Sequence, residues 1–429
     1  METATYDIII VGAGAGGGTL ARELALKNKR RAVVLEQGKR ETTYGTLKES
    51  VRYYDANQLT RRPAKSKEGV ILWRALMAGG STFVSCGNGV RCLESELREH
   101  GLDLSEEFKE AEKEMRIKPI SEELLSEGSL HLKDAAESLG HTFNPMPKFI
   151  NPDKCTGCGR CVFGCVHGAK WTALEYIDEA QKKGVEMRYE HEVLSIETTG
   201  GRVAGVTAKG PNGQVKLAAK IVVLAAGGLG TPVILQKAGI EGAGDGLFID
   251  MLVNTYGVTD GLNQVNEPQM ALVSHEYREE RGFILSSFVN HPRALRFIEM
   301  GAKAWTQSSK ALLGIMTKTA DDSAGKILPD GSVLKGVTDA DQSRLDEGSS
   351  IAAKILERAG VRASAITTTK PQGGHPGGTA AIGSVVDEQL QTNIDGLFVC
   401  DASVLPRAPG LPPILTIVVL AKRLAKILA

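Results

Sequence analysis

The stretch "YDIIIVGAGAGGGTLARELAL", followed shortly by "RAVVLEQG", constrains this chain more than any other. Ile8 to Val11 form a continuous β-branched apolar run of the kind a parallel strand needs when both of its faces are covered. Gly12, Gly14 and Gly17 follow at G-x-G-x-x-G spacing, and beyond them Leu20, Ala21, Leu24 and Ala25 share one face of a predicted helix. The first glycine permits a tight turn, the second lets backbone approach a pyrophosphate, and the third lets helix and strand pack closely. A second strand ends at Glu36, 19 residues after Gly17, where an acid can accept from the hydroxyls of an adenosine ribose. Strand, glycines, helix, strand and terminal acid together predict a dinucleotide-binding βαβ unit, whereas a glycine triplet alone would fit an empty turn as well.

At 429 residues the chain is long enough for two domains, or for one large α/β domain with an insertion. Lysine plus arginine equals aspartate plus glutamate at 51 each, so no net field attracts nucleic acid or an anionic membrane, and a small-molecule substrate is expected. The first residues lack a basic segment ahead of a long apolar stretch. No apolar run approaches the about 20 residues of a spanning helix, since Lys422 and Arg423 interrupt the C-terminal one. Four of the seven cysteines crowd into one run, which suits metal-ligating thiolates in a reducing compartment better than a disulfide framework. The expectation is a soluble, cytoplasmic protein with no membrane span.

Far along the chain, "TNIDGLFVCDASVLP" places an apolar strand, Leu397 to Val399, before Asp401. An acid ending such a strand can bond the ribityl hydroxyls of FAD or orient a pyrophosphate water, so the predicted dinucleotide is FAD, threaded between distant parts of the chain. With these motifs in place the sequence resembles the glucose-methanol-choline (GMC) oxidoreductases over nearly its full length. "IIIVGAGAGG" with "VVLEQG" is similar to the family's N-terminal FAD fingerprint, and "WRALMAGGST" to its second glycine loop. "VVLAAGGLGTPVILQKAGI" is similar to the signature that re-enters the FAD domain, and "GGHPGGTAAIGSVVD" with "DASVLPRAPGLPPILT" to the C-terminal catalytic block. The cysteine-bearing segment resembles the branch that includes long-chain alcohol oxidases and cholesterol oxidase-like proteins. By this resemblance Arg74, Gly79, Gly80 and Ser81 lie against the flavin diphosphate, and Val193, Ala226, Pro412 and Pro413 are further cofactor contacts.

The implied architecture is α/β: an FAD-binding Rossmann-like (GMC-type) domain with a discontinuous α+β substrate domain. Residues 1–245 and 371–429 hold the nucleotide motifs, with a cysteine-rich loop at 151–170, and glycine-containing turns between 191 and 220 predict hairpins. Residues 246–370 contain short apolar runs and then a helical pattern closed by Gly360, which predicts a sheet with helices that shapes the substrate pocket. Residues 94–127 are charge-rich with apolar residues at helical spacing and are expected to form solvated helices.

An enzyme of this kind takes a hydride from a carbon bearing a hydroxyl while a base takes the hydroxyl proton. The resemblance carries the family's catalytic histidine onto His375, whose flanking glycines let a flavin approach the backbone. Its usual second residue, a histidine or asparagine, is replaced by Pro412, which has neither a side-chain donor nor a backbone N–H. Ser85 likewise stands where many relatives carry asparagine. His167, His275 or Tyr256 could serve instead, and nothing in the sequence selects one.

Cys155, Cys158, Cys161 and Cys165 have the C-x2-C-x2-C-x3-C spacing of bacterial ferredoxin ligands, although Val166 stands in place of the proline that ends that motif. A 4Fe-4S cluster with these ligands, or with a remote thiol of Cys86, Cys92 or Cys400 as the fourth, would pass electrons one at a time to a ferredoxin-like protein or a quinone. Zinc and simple packing of small apolar side chains are the alternatives. The sequence therefore predicts an FAD-dependent dehydrogenase acting on a CH–OH donor. Its rivals are a flavin-dependent reductase of an activated double bond fed by the cluster, and a non-catalytic electron-transfer flavoprotein subunit.

Overall fold

The computed structural model describes residues 3–27, 30–56, 63–259, 261–290 and 311–429. β1 (Thr3–Val11) runs through the middle of a seven-stranded sheet, and its Ile8, Ile9 and Ile10 have no exposed surface. Its parallel neighbours are β2 (Ala32–Glu36) on one side and the strand Gly213–Leu224 on the other. Glu186–Tyr189 extends the sheet beyond β2, and Leu397–Val399 pairs in parallel with Val222 to Leu224. The predicted late strand therefore joins the sheet that begins the chain, which brings Asp401 to the glycine loop's end of the sheet.

The strand Gly213–Leu224 serves two sheets' worth of pairing. Lys216 to Leu224 lie parallel to β1, while Gly213 to Ala218 pair antiparallel with Arg202–Gly210, which pairs in turn with Glu192–Thr199. These are the expected hairpins, turning at Gly200 and Gly201. α1 (Ala15–Lys27) covers the sheet between the helices Ala173–Lys182 and Ile414–Leu428.

The helices expected to be solvated are only half so. Glu94–Glu99 and Ser105–Glu114 bury Leu97, Phe108 and Ala111, because those residues fall on one face at helical spacing. Their charges also bind inward: the buried Lys422 of the C-terminal helix lies 2.9 Å from Glu23 and 3.1 Å from Glu114, and Lys426 lies 2.8 Å from Glu107. A buried ammonium survives only when paired and hydrogen-bonded in this way.

The second, eight-stranded sheet is built on the antiparallel strands Met251–Val258, Leu312–Thr319, Phe283–Ser287 and Leu272–Ser274. The helix Asp339–Arg358 packs across it, capped by the Thr338 hydroxyl accepting from the Asp341 N–H and followed by Gly360 at φ +89°. The sheet also takes in Ile71–Leu72, Asn144–Pro145 and Gln372–Gly373, from segments that the sequence assigns to the nucleotide half. Residues 260 and 291–310 of the substrate segment lie outside the described residues. Among the described residues no helix is long and apolar enough to cross a membrane.

Three distant segments meet at the first turn of α1 with no room for a side chain. A β-carbon on Gly16 would lie 1.8 Å from the Cys400 carbonyl oxygen, and one on Gly17 would lie 1.9 Å from that of Gly12. At Gly14 nothing stands within 4 Å. Gly16→Ala should therefore cost about 1–3 kcal/mol through forced backbone movement, read as a lower denaturant midpoint, while Gly14→Ala should leave that midpoint near its original value. Equal midpoints for the two variants would contradict the packing described.

Candidate active site

A single cavity of about 810 Å³ runs along this junction, lined from Gly12, Gly14 and Glu36 at one part to His375 and Pro412 at another. At the fingerprint end, Glu36 accepts the Ala13 N–H and the Gly38 N–H, both at 2.8 Å. Burial pushes its carboxyl up, and those two amide bonds pull it back toward the charged form. Val193 lines the same cavity beside His191 and Glu192, and Ala226 lines it at the start of the helix Gly227–Lys237.

The phosphate-facing predictions divide into residues that open onto the cavity and residues that shape it. Gly14, Gly80 and Ser81 line it. Gly79 does not appear in its wall; its N–H donates to the Ala13 carbonyl at 2.9 Å and ties the second glycine loop to the first. Gly17 likewise acts by packing on Gly12. Arg74 lines the cavity, but its Nε donates to Asp55 Oδ2 at 2.7 Å. Asp401 also borders the cavity with its carboxylate occupied: Oδ2 accepts from the Gly227 N–H and the Thr231 hydroxyl, and Oδ1 from the Ser403 N–H and hydroxyl. With four donors on its two oxygens, it staples the helix Gly227–Lys237 to the C-terminal block at the cavity's edge.

At the other end, the second sheet supplies the polar groups. Leu252 and Asn254 on one strand, with Lys318 and Met316 opposite them on the next, line the cavity at alternating positions. Gln372 joins them and accepts the Trp73 indole N–H at 2.6 Å. His375 is anchored by its N–H on the Ile249 carbonyl. Its Nδ1 lies 2.9 Å from Asp250 Oδ2 and 2.8 Å from Lys318 Nζ, which leaves Nε2 as the ring nitrogen for a ligand. The remaining 22 % exposure of the side chain opens into the cavity.

Asp250 is fully buried at φ +50°, and its Oδ1 accepts the Gly410 N–H at 2.8 Å. Burial raises its carboxyl to about 7 against the opposing charge of Lys318. Burial lowers Lys318, and burial together with the Lys318 charge holds His375 well below the ordinary imidazole range. Pro412 and Pro413 form a wall without donors just before the C-terminal helix. None of the substitutes suggested by sequence joins His375: His167 lines a separate cavity, and Tyr256 and His275 are absent from this one. Lys318 and Asp250 escape sequence reasoning because one looks like an ordinary charge in an apolar strand and the other like an ordinary acid just before one.

The cysteine run forms a loop with one tight turn, Cys161–Phe163, and with Gly157, Gly159, Gly164 and Gly168 at positive φ. Cys155, Cys158, Cys161 and Cys165 all border one small cavity of about 20 Å³, with His167 and Lys170. They do not close on a point: among the described residues no three of His, Cys, Asp and Glu stand together as a metal site. Cys92 and Cys400 are buried elsewhere, and Cys86 lines the large cavity. Lys170 Nζ donates to the carbonyls of Phe83, Ser85 and Cys161, while Tyr53 and Tyr54 donate to those of Phe163 and Val162. Val162 and Phe163 line the large cavity, so one turn separates the two.

Two models described as GMC oxidoreductase match residues 6–251 and 314–421. An uncharacterized protein of Methanocaldococcus jannaschii is 31% identical over 98% of this chain and 99% of its own. A long-chain-alcohol oxidase of Arabidopsis thaliana is 24% identical over 96% of this chain and 65% of its own. Among solved structures, pyridoxine 4-oxidase from Mesorbium loti superposes with a TM-score of 0.76 at 17% identity, covering 98% of each chain, which speaks to the fold alone.

Removing the Glu36 carboxylate leaves two amides of the fingerprint without their acceptor, at about 1.5–3 kcal/mol for charge-assisted bonds. Glu36→Ala is expected to weaken FAD binding by about tenfold or more in a titration of the apoprotein. An unchanged dissociation constant would place the dinucleotide elsewhere.

Proposed function

Because the chain belongs to the GMC oxidoreductase family, we propose that it is an FAD-dependent dehydrogenase that oxidises the CH–OH group of a small-molecule donor. The observation that carries this reading is the continuity of one cavity from the dinucleotide fingerprint to His375. The residues suit FAD: Gly14 leaves open space where backbone must meet a pyrophosphate, and the cavity joins both glycine loops, Val193, Ala226 and the proline wall. Bound there, FAD supplies a two-electron acceptor for hydride.

The chain's own residues handle the proton and the orientation. His375 presents Nε2 as the base for the donor's hydroxyl proton, with its ring fixed through Nδ1. Low proton affinity at His375 keeps the ring neutral, and so free to accept a proton, across ordinary pH. Met270, Phe288, Met316 and Leu252 give the donor an apolar surround, and Asn254 and Gln372 add polar contacts. A non-catalytic electron-transfer scaffold would have no use for an acid, a lysine and a histidine buried together against their desolvation cost.

The reading extends to a 4Fe-4S cluster on Cys155, Cys158, Cys161 and Cys165 that hands electrons to a ferredoxin-like protein or a quinone, in a reducing, cytoplasmic setting. The ligand spacing, the shared small cavity and the single turn between that cavity and the large one support it. As the loop stands, the thiols are spread around a space too small for a cluster, so ligation requires the loop to rearrange.

Anaerobic purification followed by iron and sulfide analysis is expected to give about four irons per chain; flavin without iron would reduce the four cysteines to packing and make direct reoxidation of FAD the route. Mixing that protein anaerobically with alcohols of graded size is expected to bleach the flavin absorption, and His375→Ala is expected to slow bleaching by about 10²–10⁴-fold. If no alcohol bleaches the flavin while the reduced enzyme saturates an enone, the reductase alternative, favoured by the donorless wall at Pro412, takes its place.

A further inference from the structure

Two groups converge on one nitrogen of His375, and only one proton can lie there. Nδ1 has Asp250 Oδ2 at 2.9 Å and Lys318 Nζ at 2.8 Å, and Lys318 and Asp250 stand 3.9 Å apart. Behind the ring the two partners are shut from solvent, with Lys318 2 % exposed and Asp250 fully covered. A neutral imidazole that takes a proton at Nε2 becomes a cation, and burial disfavours that cation here. The proton therefore needs an onward position. The Asp250 carboxylate accepts the Gly410 N–H, which favours its ionised form as a counter-charge. Lysine, unlike arginine, gives up and regains its proton readily when buried.

We infer that Lys318 is the proton acceptor behind His375. This rests on the reading of His375 as the base in CH–OH oxidation. The donor's O–H bond breaks as Nε2–H forms, and Nδ1–H breaks as a third Nζ–H bond forms on the neutral amine. FAD bound along the cavity would take the hydride, so the two electrons of the broken carbon–hydrogen bond would leave the donor with it. The ring ends neutral in its other tautomer, and the new ammonium is left beside the Asp250 carboxylate, where opposite charges in a dry site attract strongly. The other titratable groups acting on Lys318 are Cys86, Cys92 and Asp321, the last already paired with Lys335 at 2.7 Å. Arg278 and Arg407 act on Asp250 from farther off. Lys318 is a positioning and relay residue, since its contact is with His375.

Two variants separate the relay from a structural or purely electrostatic role. Lys318→Met keeps an unbranched chain without charge, and Lys318→Arg keeps a cation that cannot accept a proton. In anaerobic single-turnover reduction by an alcohol, both are expected to lose about 10²-fold or more in rate, with KM unchanged and the FAD content of the purified protein retained. In ¹⁵N-histidine NMR of the resting protein, assigned through His375→Gln, acidification is expected to move the wild-type ring from the Nδ1–H to the Nε2–H tautomer as Lys318 takes the proton, and to turn the ring of Lys318→Met directly into the imidazolium. Recovery of the rate in Lys318→Arg would reduce Lys318 to a fixed charge and overturn the relay. So would a Lys318→Met enzyme with unaltered rate and ring titration. If the wild-type protein oxidises no alcohol, the functional reading fails on its own, and the NMR titration decides: a tautomer switch present in the wild type and lost in Lys318→Met sustains the Lys318–His375 proton coupling, and a wild-type ring that goes straight to the imidazolium refutes it.

Discussion

Backbone from three remote parts of the chain approaches within less than a side chain's width at the start of α1, and the rest of the site depends on that contact. Gly12 faces the Ala225 carbonyl, Gly17 rests on Gly12, and Gly16 rests on the Cys400 carbonyl. Ala225 follows the strand Gly213–Leu224 and Cys400 follows Leu397–Val399, so the contact fixes where three parallel strands end. The cavity opens at those carboxyl ends, the usual position for a ligand in an open parallel sheet. His375 and Pro412 reach it because the same C-terminal block that packs on Gly16 carries them there.

Buried lysines do the second kind of structural work. Lys148 binds the Cys86 and Gln269 carbonyls and Asn88, and Lys170 binds three carbonyls that include one from the cysteine loop. Each lysine thus substitutes for secondary structure in segments that have little, by satisfying carbonyls that would otherwise be buried without partners. Burial lowers the proton affinity of both, with Lys148 brought to about 8 and the nearby thiols opposing the shift. Lys318 is as buried as those two but its neighbours are a ring nitrogen and a carboxylate instead of carbonyls.

Local patterns carried the nucleotide half. Ile8 to Val11, the three glycines, Glu36 and the hairpins at residues 192–224 follow from periodicity and turn chemistry, which depend on near neighbours in the chain. Other features lay beyond such patterns because tertiary partners decide them. Asp401 was legible as a strand-ending acid, but Thr231 and Ser403, which occupy its oxygens, are distant or commonplace in sequence. Arg74 was legible as a residue of the second glycine loop, and its pairing with Asp55 was not. The charged helices between 94 and 114 read as solvated because Arg22, Lys422 and Lys426, their partners, lie near the two chain ends. The Asp250–His375–Lys318 group joins three segments across the second sheet, with no spacing to announce it.

A crystal structure of the protein with FAD bound tests the central claim most directly, namely that one cavity made by this three-way contact holds the dinucleotide and delivers its reactive ring to His375. The account predicts the adenosine ribose at Glu36, the pyrophosphate at Gly14 and Gly80, and the isoalloxazine between His375 and the Pro412–Pro413 wall. An isoalloxazine ring placed away from His375, with the Asp250–His375–Lys318 group facing only solvent or protein, would contradict it.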